Sequence, residues 1–368
     1  MASLGHGNLP NEFRPNEFRP NEFRPNEFRR CPGIRYHPAP PRPKAWAELA
    51  NTGGGTQYAA MRNVLTLIAG GPKHDGDDST AGGLILDDGI AGMALDALGE
   101  SGARAEAVDW LAPGIACDIA FSAPDLGKSQ AAVRQALGTL GVDMAVQARQ
   151  GRRKKLLIAD MESTVIENEM LDELADFIGE REKVADITRR AMNGEIEFTA
   201  ALNERVGLLA GMPVDILDRA LERVTLSPGA GTLVRTMRAD GAYAALISGG
   251  FTCFTGAVRD RLGFDFDQAN ELEIRDGKLT GTVREPVLGP ADKLAALERL
   301  AAERGLPLSA TLAVGDGAND LEMLRAAGLG VAYHAKPSVA AAAPLRVEHG
   351  DLTALLYLQG YRLDEFSD

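Results

Sequence analysis

Cysteine is scarce in this chain, and long apolar runs are missing. The 368 residues include three cysteines, Cys31, Cys117 and Cys253, which are widely spaced and odd in number. This spacing fits neither a disulfide framework nor a zinc-ligand set, so the sequence predicts a reducing, cytoplasmic location. No run of about 18 or more apolar residues occurs, and no basic-then-apolar signal pattern opens the chain. We therefore expect no membrane-spanning segment.

Positively charged residues are fewer than negatively charged ones. Lysine and arginine total 39 against 52 aspartates and glutamates, which gives a formal net charge of -13. The one dense basic run, GRRKK at 151–155, precedes an apolar strand and is interpreted as a solvated linker. With this charge we expect no nucleic-acid partner. The length allows two domains.

Residues 1–60 have low complexity. Residues 11–30 repeat a five-residue unit four times, NEFRP-NEFRP-NEFRP-NEFRR, and Pro-rich and Gly-rich stretches follow. A proline in nearly every unit prevents a continuous helix, and so short a unit buries nothing by stacking. The sequence predicts a disordered extension, with the natural start nearer Met61. A Phe/Arg docking peptide is the alternative hypothesis.

Residues 61–150 predict a small α/β domain. Strand and helix signals follow the order βαββαβ, with the central strand pair broken at Pro113-Gly114. This order is that of a ferredoxin-like fold. The pattern resembles the amino-acid-binding regulatory domains called ACT, although no binding motif accompanies it. A structural or dimerising role is as compatible with the pattern as ligand binding, so a homodimer is one hypothesis.

Residues 151–368 predict a second α/β domain. Apolar strands such as KLLIA and TLAVG alternate with amphipathic helices such as DKLAALERLAAERG, which is typical of a parallel sheet. A mostly helical stretch over about 165–225 interrupts this alternation. Asp160, Ser248 and Asp316 each follow the end of an apolar strand, where ligands bind in such sheets. The sequence therefore predicts an active site at this edge.

Carboxylates dominate that edge and suit phosphoryl transfer. Asp160 is the nucleophile candidate for an aspartyl-phosphate intermediate, with Thr164 four residues on. Asp316 is the natural metal partner, and oxygen-only ligation favours Mg²⁺. Asn319 and Asp320 open the following helix and can orient the metal site. Alone, either Asp160 or Asp316 could be an ordinary helix cap.

A hydroxyl, small residues and a lysine complete the predicted site. Ser248 and Gly249 offer an oxygen and closely approaching backbone N–H groups for a phosphate. Lys293, near the start of a helix, supplies a point charge. Taken singly, these residues could form a turn and a surface lysine. Their common position on one scaffold argues for a site.

The segments carrying these residues match a known family in order and spacing. They are DMESTVIENEMLDELA, AMNGEIEFTAALNERVGLL, LISGGF, DK and VGDGANDLEML. Residues from about 155 to 365 resemble the haloacid dehalogenase (HAD) superfamily, and within it the phosphoserine phosphatases. The resemblance implies a Rossmann-like parallel-sheet core with a helical cap. It also implies Mg²⁺-dependent hydrolysis of phosphoserine, the last step of serine biosynthesis.

The resemblance also implies roles for single residues of the sheet edge. Asp160 would be phosphorylated, and Mg²⁺ would bridge it with Asp316 and the backbone carbonyl of Glu162. Ser248 and Lys293 would bind the phosphate.

The helical stretch resembles the family's cap, which closes over the substrate. By this resemblance Glu169 would bind the substrate ammonium and Arg205 its carboxylate, while Phe198 and Met192 would line the lid. A zwitterionic phosphoester needs such a carboxylate and guanidinium. Alternatively, Glu169 and Arg205 are solvent-facing helix charges.

Glu162 departs from the family pattern, which has a second aspartate at this position. Glutamate keeps the carboxyl group and nearly the same intrinsic pKa, so the change affects reach rather than acidity. We interpret it as retained acid/base catalysis, such that Glu162→Asp keeps or raises activity and Glu162→Gln abolishes it. A related branch with Asp-x-Glu passes phosphate to homoserine, which is one alternative. The other is an inactive amino-acid sensor.

Overall fold

The computed structural model describes residues 61–70, 83–192 and 195–367. The extension predicted over residues 1–60 and the side chain of Met192 lie outside the described residues. Within the described ranges, every helix is too short or too polar to cross a membrane.

The first part of the described chain is an antiparallel sheet that carries two helices on one face. Its elements are β1 (Asn63–Ala69), α1 (Asp88–Glu100), β2 (Arg104–Ala105), β3 (Asp109–Ala112), β4 (Ala116–Ser122), α2 (Leu126–Leu137) and β5 (Val142–Ala148). β5 pairs with β1, β1 with β4, and β4 with both β2 and β3. The predicted ferredoxin-like fold is confirmed, with its second strand split into β2 and β3.

The other face of this sheet is joined to the C-terminal segment by buried polar contacts. Arg152 forms an ion pair with Asp118 and donates to the backbone carbonyls of residues 357–358. Asp143 accepts hydrogen bonds from the backbone N–H groups of residues 348–350. The interpretation of GRRKK as a solvated linker is therefore wrong for Arg152, whose side chain is only 9% exposed.

The remaining chain forms a six-stranded parallel sheet with helices on both faces. Its strands are β6 (Leu156–Ala159), β7 (Tyr243–Phe251), β8 (Phe266–Asn270), β11 (Thr311–Gly315), β12 (Leu329–Tyr333) and β13 (Leu345–Val347), with a separate hairpin of β9 (Leu272–Arg275) and β10 (Lys278–Val283). The helices are α3 (Met170–Phe177), α4 (Arg181–Met192), α5 (Phe198–Gly207), α6 (Asp215–Leu221), α7 (Ala230–Ala239), α8 (Thr252–Leu262), α9 (Pro290–Glu303), α10 (Leu321–Ala326), α11 (Pro337–Ala342) and α12 (Ala354–Leu358).

The order of the strands places a crevice at the end of β6. The sheet runs β13-β12-β11-β6-β7-β8, so the chain proceeds from β6 towards one edge and later returns to fill the other. Such a switch point leaves a crevice beyond the carboxyl ends of the two central strands. Strand β6 is buried on both faces, because Leu156 and Ile158 pack into one core cluster and Leu157 and Ala159 into the other. Strand β13 pairs with β12 and forms one edge of the sheet, and β8 forms the other.

Helices α3 to α6 form a cap, consistent with the helical stretch predicted over 165–225. The two segments that connect the cap to the sheet pair with each other, since the Ser227 N–H donates to Val165 and the Glu167 N–H donates to Thr225. The β9–β10 hairpin joins the cap through backbone bonds between Leu279 and residues 211–212. The divisions of the chain at residues 60 and 150 stay predictions.

Candidate active site

Asp160 lies at the bottom of the crevice, directly after β6. The residue is 5% exposed, and one carboxylate oxygen accepts a 2.7 Å hydrogen bond from the Met161 N–H. A wide turn over 161–165 follows, closed by a 2.9 Å bond from the Ile166 N–H to the Met161 carbonyl. Within it Ser163 has a φ of 52°, in the left-handed region that non-glycine residues rarely adopt. The turn carries the chain from the sheet into the cap.

Lys293 holds two of the carboxylates at this point. Its Nζ lies 2.7 Å from Asp160 Oδ2 and 2.7 Å from Asp320 Oδ1, and all three side chains are almost fully buried. Burial alone would lower the pKa of Lys293, but the two carboxylates outweigh it and raise that pKa. The second oxygen of Asp320 accepts from the Gly317 N–H at 3.0 Å. Lys293 is therefore a fixed cation.

Asp160, Asp316 and Asp320 form an acidic cluster, with one oxygen of each lying within 4.8 Å of the others. Together with Lys293 we call them the floor of the cleft. Burial and the repulsion of Asp320 raise the pKa of Asp160 well above its usual value and that of Asp316 to about 6. This crowding and the oxygen-only donors suit a hard divalent cation, so the cluster could hold a metal ion. Among the described residues, Asp320 has bonds at both oxygens, whereas Asp316 accepts a single 3.4 Å bond from Thr164 and is the more available ligand.

The Ser248-Gly249-Gly250 segment forms the wall beside the floor. The sequence predicted Ser248 past the end of its strand, but Ser248 lies inside β7. The regular pairing of β7 with β8 is nevertheless lost after Ile247. The Ser248 hydroxyl accepts from the Gly250 N–H at 2.9 Å. A Cβ at Gly250 would lie 3.0 Å from Glu162 Oε2, so glycine avoids a tight contact with that carboxyl group.

Glu162 lies between this wall and the cap. Its Oε1 accepts a 2.9 Å hydrogen bond from the Met170 N–H, at the first residue of α3. Desolvation, with the neighbouring Glu169 carboxylate second, raises the pKa of Glu162 to about 8. A carboxyl group with this pKa is protonated at neutral pH and can act as a proton donor.

The cap residues predicted to recognise the substrate lie above the floor. Glu169 is exposed and accepts a 2.7 Å hydrogen bond from the Ser163 hydroxyl. Arg205 is half-buried on α5 and donates to the Ala201 carbonyl and the Thr188 hydroxyl. Burial lowers the pKa of Arg205, although the attraction of Glu162 opposes the shift.

Phe198, at the start of α5, reaches the wall. A Cβ at Gly249 would lie 3.6 Å from its ring, and one at Gly289 would lie 3.7 Å away. The Phe198 ring therefore lies against the wall and the start of α9, and its role as a lid residue stays a prediction. The Asn319 side-chain oxygen lies against the Gly317 backbone, and its predicted role at the site stays a prediction.

Sequence reasoning missed two residues at the site. Ser163 orients the Glu169 carboxylate, and Asn270 anchors the wall through a 2.8 Å bond to the Gly249 carbonyl. Asn270 could have been found. The alternation in FDFDQAN is typical of a strand, and Asn270 ends it on the same edge of the sheet as Asp160.

Comparison with known proteins supports one family. Residues 157–325 match the family of haloacid dehalogenase-like hydrolases. A phosphoserine phosphatase of Streptomyces coelicolor is 43% identical over 270 residues, 72% of this chain and 66% of the relative. One of Methanocaldococcus jannaschii is 39% identical over 205 residues, 56% of this chain and 97% of the relative. The unliganded structure of a probable phosphoserine phosphatase from Vibrio cholerae has a TM-score of 0.66 and 32% identity, covering 87% of this chain and 94% of that one. The chain thus spans about two thirds of the length of the Streptomyces relative.

Proposed function

The chain belongs to the haloacid dehalogenase-like hydrolase family, and from this premise we propose that it hydrolyses O-phospho-L-serine to L-serine and phosphate with Mg²⁺ as cofactor. The observation that carries the proposal is the floor of the cleft, where buried Asp160 lies 2.7 Å from Lys293 and close to Asp316. This arrangement suits a carboxylate nucleophile for phosphorus. The names of the relatives support phosphoserine as the substrate.

The first step transfers the phosphoryl group to the protein. A carboxylate oxygen of Asp160 attacks phosphorus, and the bond between phosphorus and the serine oxygen breaks as the new bond forms. Glu162, protonated near neutral pH because its pKa is raised to about 8, donates its proton to the leaving serine oxygen. Lys293 and the N–H groups of the wall hold the phosphoryl oxygens as their charge develops.

The second step returns Asp160 to its starting state. The Glu162 carboxylate left by the first step takes a proton from a water molecule, whose oxygen attacks phosphorus. The bond between phosphorus and Asp160 breaks and inorganic phosphate leaves. Glu162 is protonated again and the cycle closes.

Asp160, Asp316 and the backbone carbonyl of Glu162 would hold the Mg²⁺ ion. When bound, the ion supplies positive charge that offsets the repulsion between the Asp160 carboxylate and the phosphate oxygens. Asp320 and Thr164 would orient these ligands, since Asp320 is fixed by Lys293 and Thr164 donates to Asp316.

Recognition of the amino acid falls to the cap in this proposal. Glu169 would bind the ammonium group and Arg205 the carboxylate, while Phe198 excludes water above the wall. Substrate binding would have to draw Arg205 away from its bonds to Ala201 and Thr188. A cytoplasmic location and a homodimer remain proposals from the sequence.

The test is phosphate release from L-phosphoserine by the purified chain, with Mg²⁺ and with EDTA. We expect release with Mg²⁺ and none with EDTA or in the Asp160→Asn variant. Absence of release by the wild type would refute the proposal and favour an amino-acid sensor. Product analysis with homoserine present distinguishes water from an alcohol as acceptor, because phosphotransfer would yield phosphohomoserine.

A further inference from the structure

Asn270 is a buried amide that the reaction scheme leaves unused. It ends β8 and is only 2% exposed. Its Nδ2 donates to the Gly249 carbonyl at 2.8 Å and to the Leu288 carbonyl at 3.3 Å, while its Oδ1 accepts from the Leu288 N–H at 2.7 Å. One side chain therefore bonds to two backbone segments that lie far apart in sequence.

The first of these segments is the wall. Strands β7 and β8 pair regularly up to Ile247 opposite Gln268, and pairing resumes only at Phe251 opposite Asn270. Ser248, Gly249 and Gly250 lie in the interval where the regular ladder is shifted. The Asn270 amide hydrogen bonds to the Gly249 carbonyl within this interval, and so fixes a segment that the ladder does not hold regularly.

The second segment leads into the helix that carries Lys293. Leu288 directly precedes Gly289, the N-cap residue of α9, and the Gly289 N–H donates to the Asp292 carboxylate at 2.6 Å. Lys293 follows in the first turns of α9. The separation between Ser248 and Lys293 thus depends on two segments that are both bonded to Asn270.

We propose that Asn270 is a positioning residue for the phosphoryl site, which sets the distance between Ser248 and Lys293 so that both meet the same phosphoryl group. The inference rests on the proposed function. Asn270 itself touches no reacting atom, since its polar atoms are bonded to backbone. A displacement of about an ångström between such groups can lower a rate by about a hundredfold.

Gln359 provides a matched control. It is also a 2% exposed primary amide bonded to backbone, accepting from the Lys154 N–H at 2.9 Å and donating to the Leu355 carbonyl at 3.0 Å. Lys154 precedes β6, at the end of the sheet opposite Asp160. Gln359→Ala therefore removes a similar buried amide away from the site.

The experiment compares Asn270→Ala, Asn270→Asp and Gln359→Ala in the full chain. The aspartate keeps the volume and the bond from the Leu288 N–H, but has no N–H for the Gly249 carbonyl. We measure thermal unfolding, kcat and KM for phosphoserine and an aryl phosphate, and the inhibition constant of inorganic phosphate. For both Asn270 variants we expect weaker phosphate inhibition, by about tenfold, and a lower kcat on both substrates, by about a hundredfold. Gln359→Ala should lose stability without these changes.

The inference would be overturned if both Asn270 variants, measured at a temperature where they are folded, kept kcat and the inhibition constant of phosphate within about twofold of the wild type. Failure of both to fold while Gln359→Ala folds would also overturn it, because the amide would then hold the fold rather than the site. Calorimetric binding of phosphate separates this inference from the proposed function. A wild type that binds phosphate more tightly than both Asn270 variants but does not hydrolyse phosphoserine would refute only the proposed function, and one that binds no phosphate would overturn both.

Discussion

The floor of the cleft and the cap above it hold their charged side chains in opposite ways. On the floor, Asp160, Asp320 and Lys293 are almost fully buried and bonded to one another. In the cap, Glu169 is exposed, and Arg205 is bonded to its own helix and to Thr188. Under the proposed function, the groups that would hold the phosphoryl group are already bonded to one another, whereas Arg205 would have to leave its present bonds to reach the amino acid. Preorganised charge serves the rate of reaction, and adaptable contacts serve selectivity.

The largest expected effect concerns Glu162, which lies between the two regions. Glu162→Gln should lower kcat on every phosphate ester by about a hundredfold to ten-thousandfold, because the amide cannot give or take the proton. Glu162→Asp should retain activity within about tenfold, since it keeps the carboxyl group but gives up reach to the Met170 N–H. Steady-state kinetics on phosphoserine and an aryl phosphate check both.

The glutamine variant carries its own structural control. Its side-chain carbonyl can still accept from the Met170 N–H, so contact with the cap is preserved and the loss reports proton transfer. A glutamine variant as active as the wild type would mean that another group carries the proton.

The next largest effect distinguishes the role of the cap from the role of the floor. Arg205→Ala should lower kcat/KM for phosphoserine by about 10- to 100-fold, the worth of a charge-assisted hydrogen bond. It should change kcat/KM for an aryl phosphate, which lacks the amino acid, by less than about threefold. Arg190→Ala is the control, because Arg190 is another cap arginine, 3.3 Å from Glu204. Equal losses on both substrates would refute the assignment of Arg205 to the amino-acid end.

The same contrast explains what the sequence could predict. Asp160 and Asp316 follow apolar strands, and strand periodicity with the edge rule of parallel sheets was enough to bring them together. Arg152 and Asn270 were not predicted in their places, because their partners are side chains and backbone groups far away in sequence. The strand pattern FDFDQAN could have placed Asn270 at the edge of the sheet, but it does not show which backbone groups its amide binds, and GRRKK looks like any exposed basic run. Asp160 and Asp316 could be predicted because each directly follows an apolar strand. The contacts of Arg152 and Asn270 could not be predicted because each binds chain segments that are far away in sequence.

A further expected effect, on stability rather than on activity, is a dependence of folding on pH in the metal-free protein. Folding raises the pKa of Asp316 from 3.8 to about 6 and that of Glu162 from 4.5 to about 8. The folded state therefore holds protons that the unfolded chain has released. Stability from these groups is complete below about pH 4 and falls as the pH rises through about 6 and 8.

Denaturant unfolding in EDTA from about pH 5 to about pH 9 measures this slope. In Glu162→Gln the free energy of unfolding should decrease less steeply above about pH 6, because glutamine does not titrate. Added Mg²⁺ should restore stability at the higher pH, since a ligand that binds only the folded state stabilises it. The same slope in Glu162→Gln and wild type would contradict the raised pKa of Glu162.

The central claim is that Asp160 becomes the phosphorylated residue. Rapid acid quench of the enzyme during turnover of L-phosphoserine with Mg²⁺, followed by peptide mass spectrometry, tests it most directly. We expect one added phosphoryl group on the peptide that contains Asp160, and none in the Asp160→Asn variant. Turnover with the phosphoryl group on another residue, or undiminished turnover by Asp160→Asn, would contradict it.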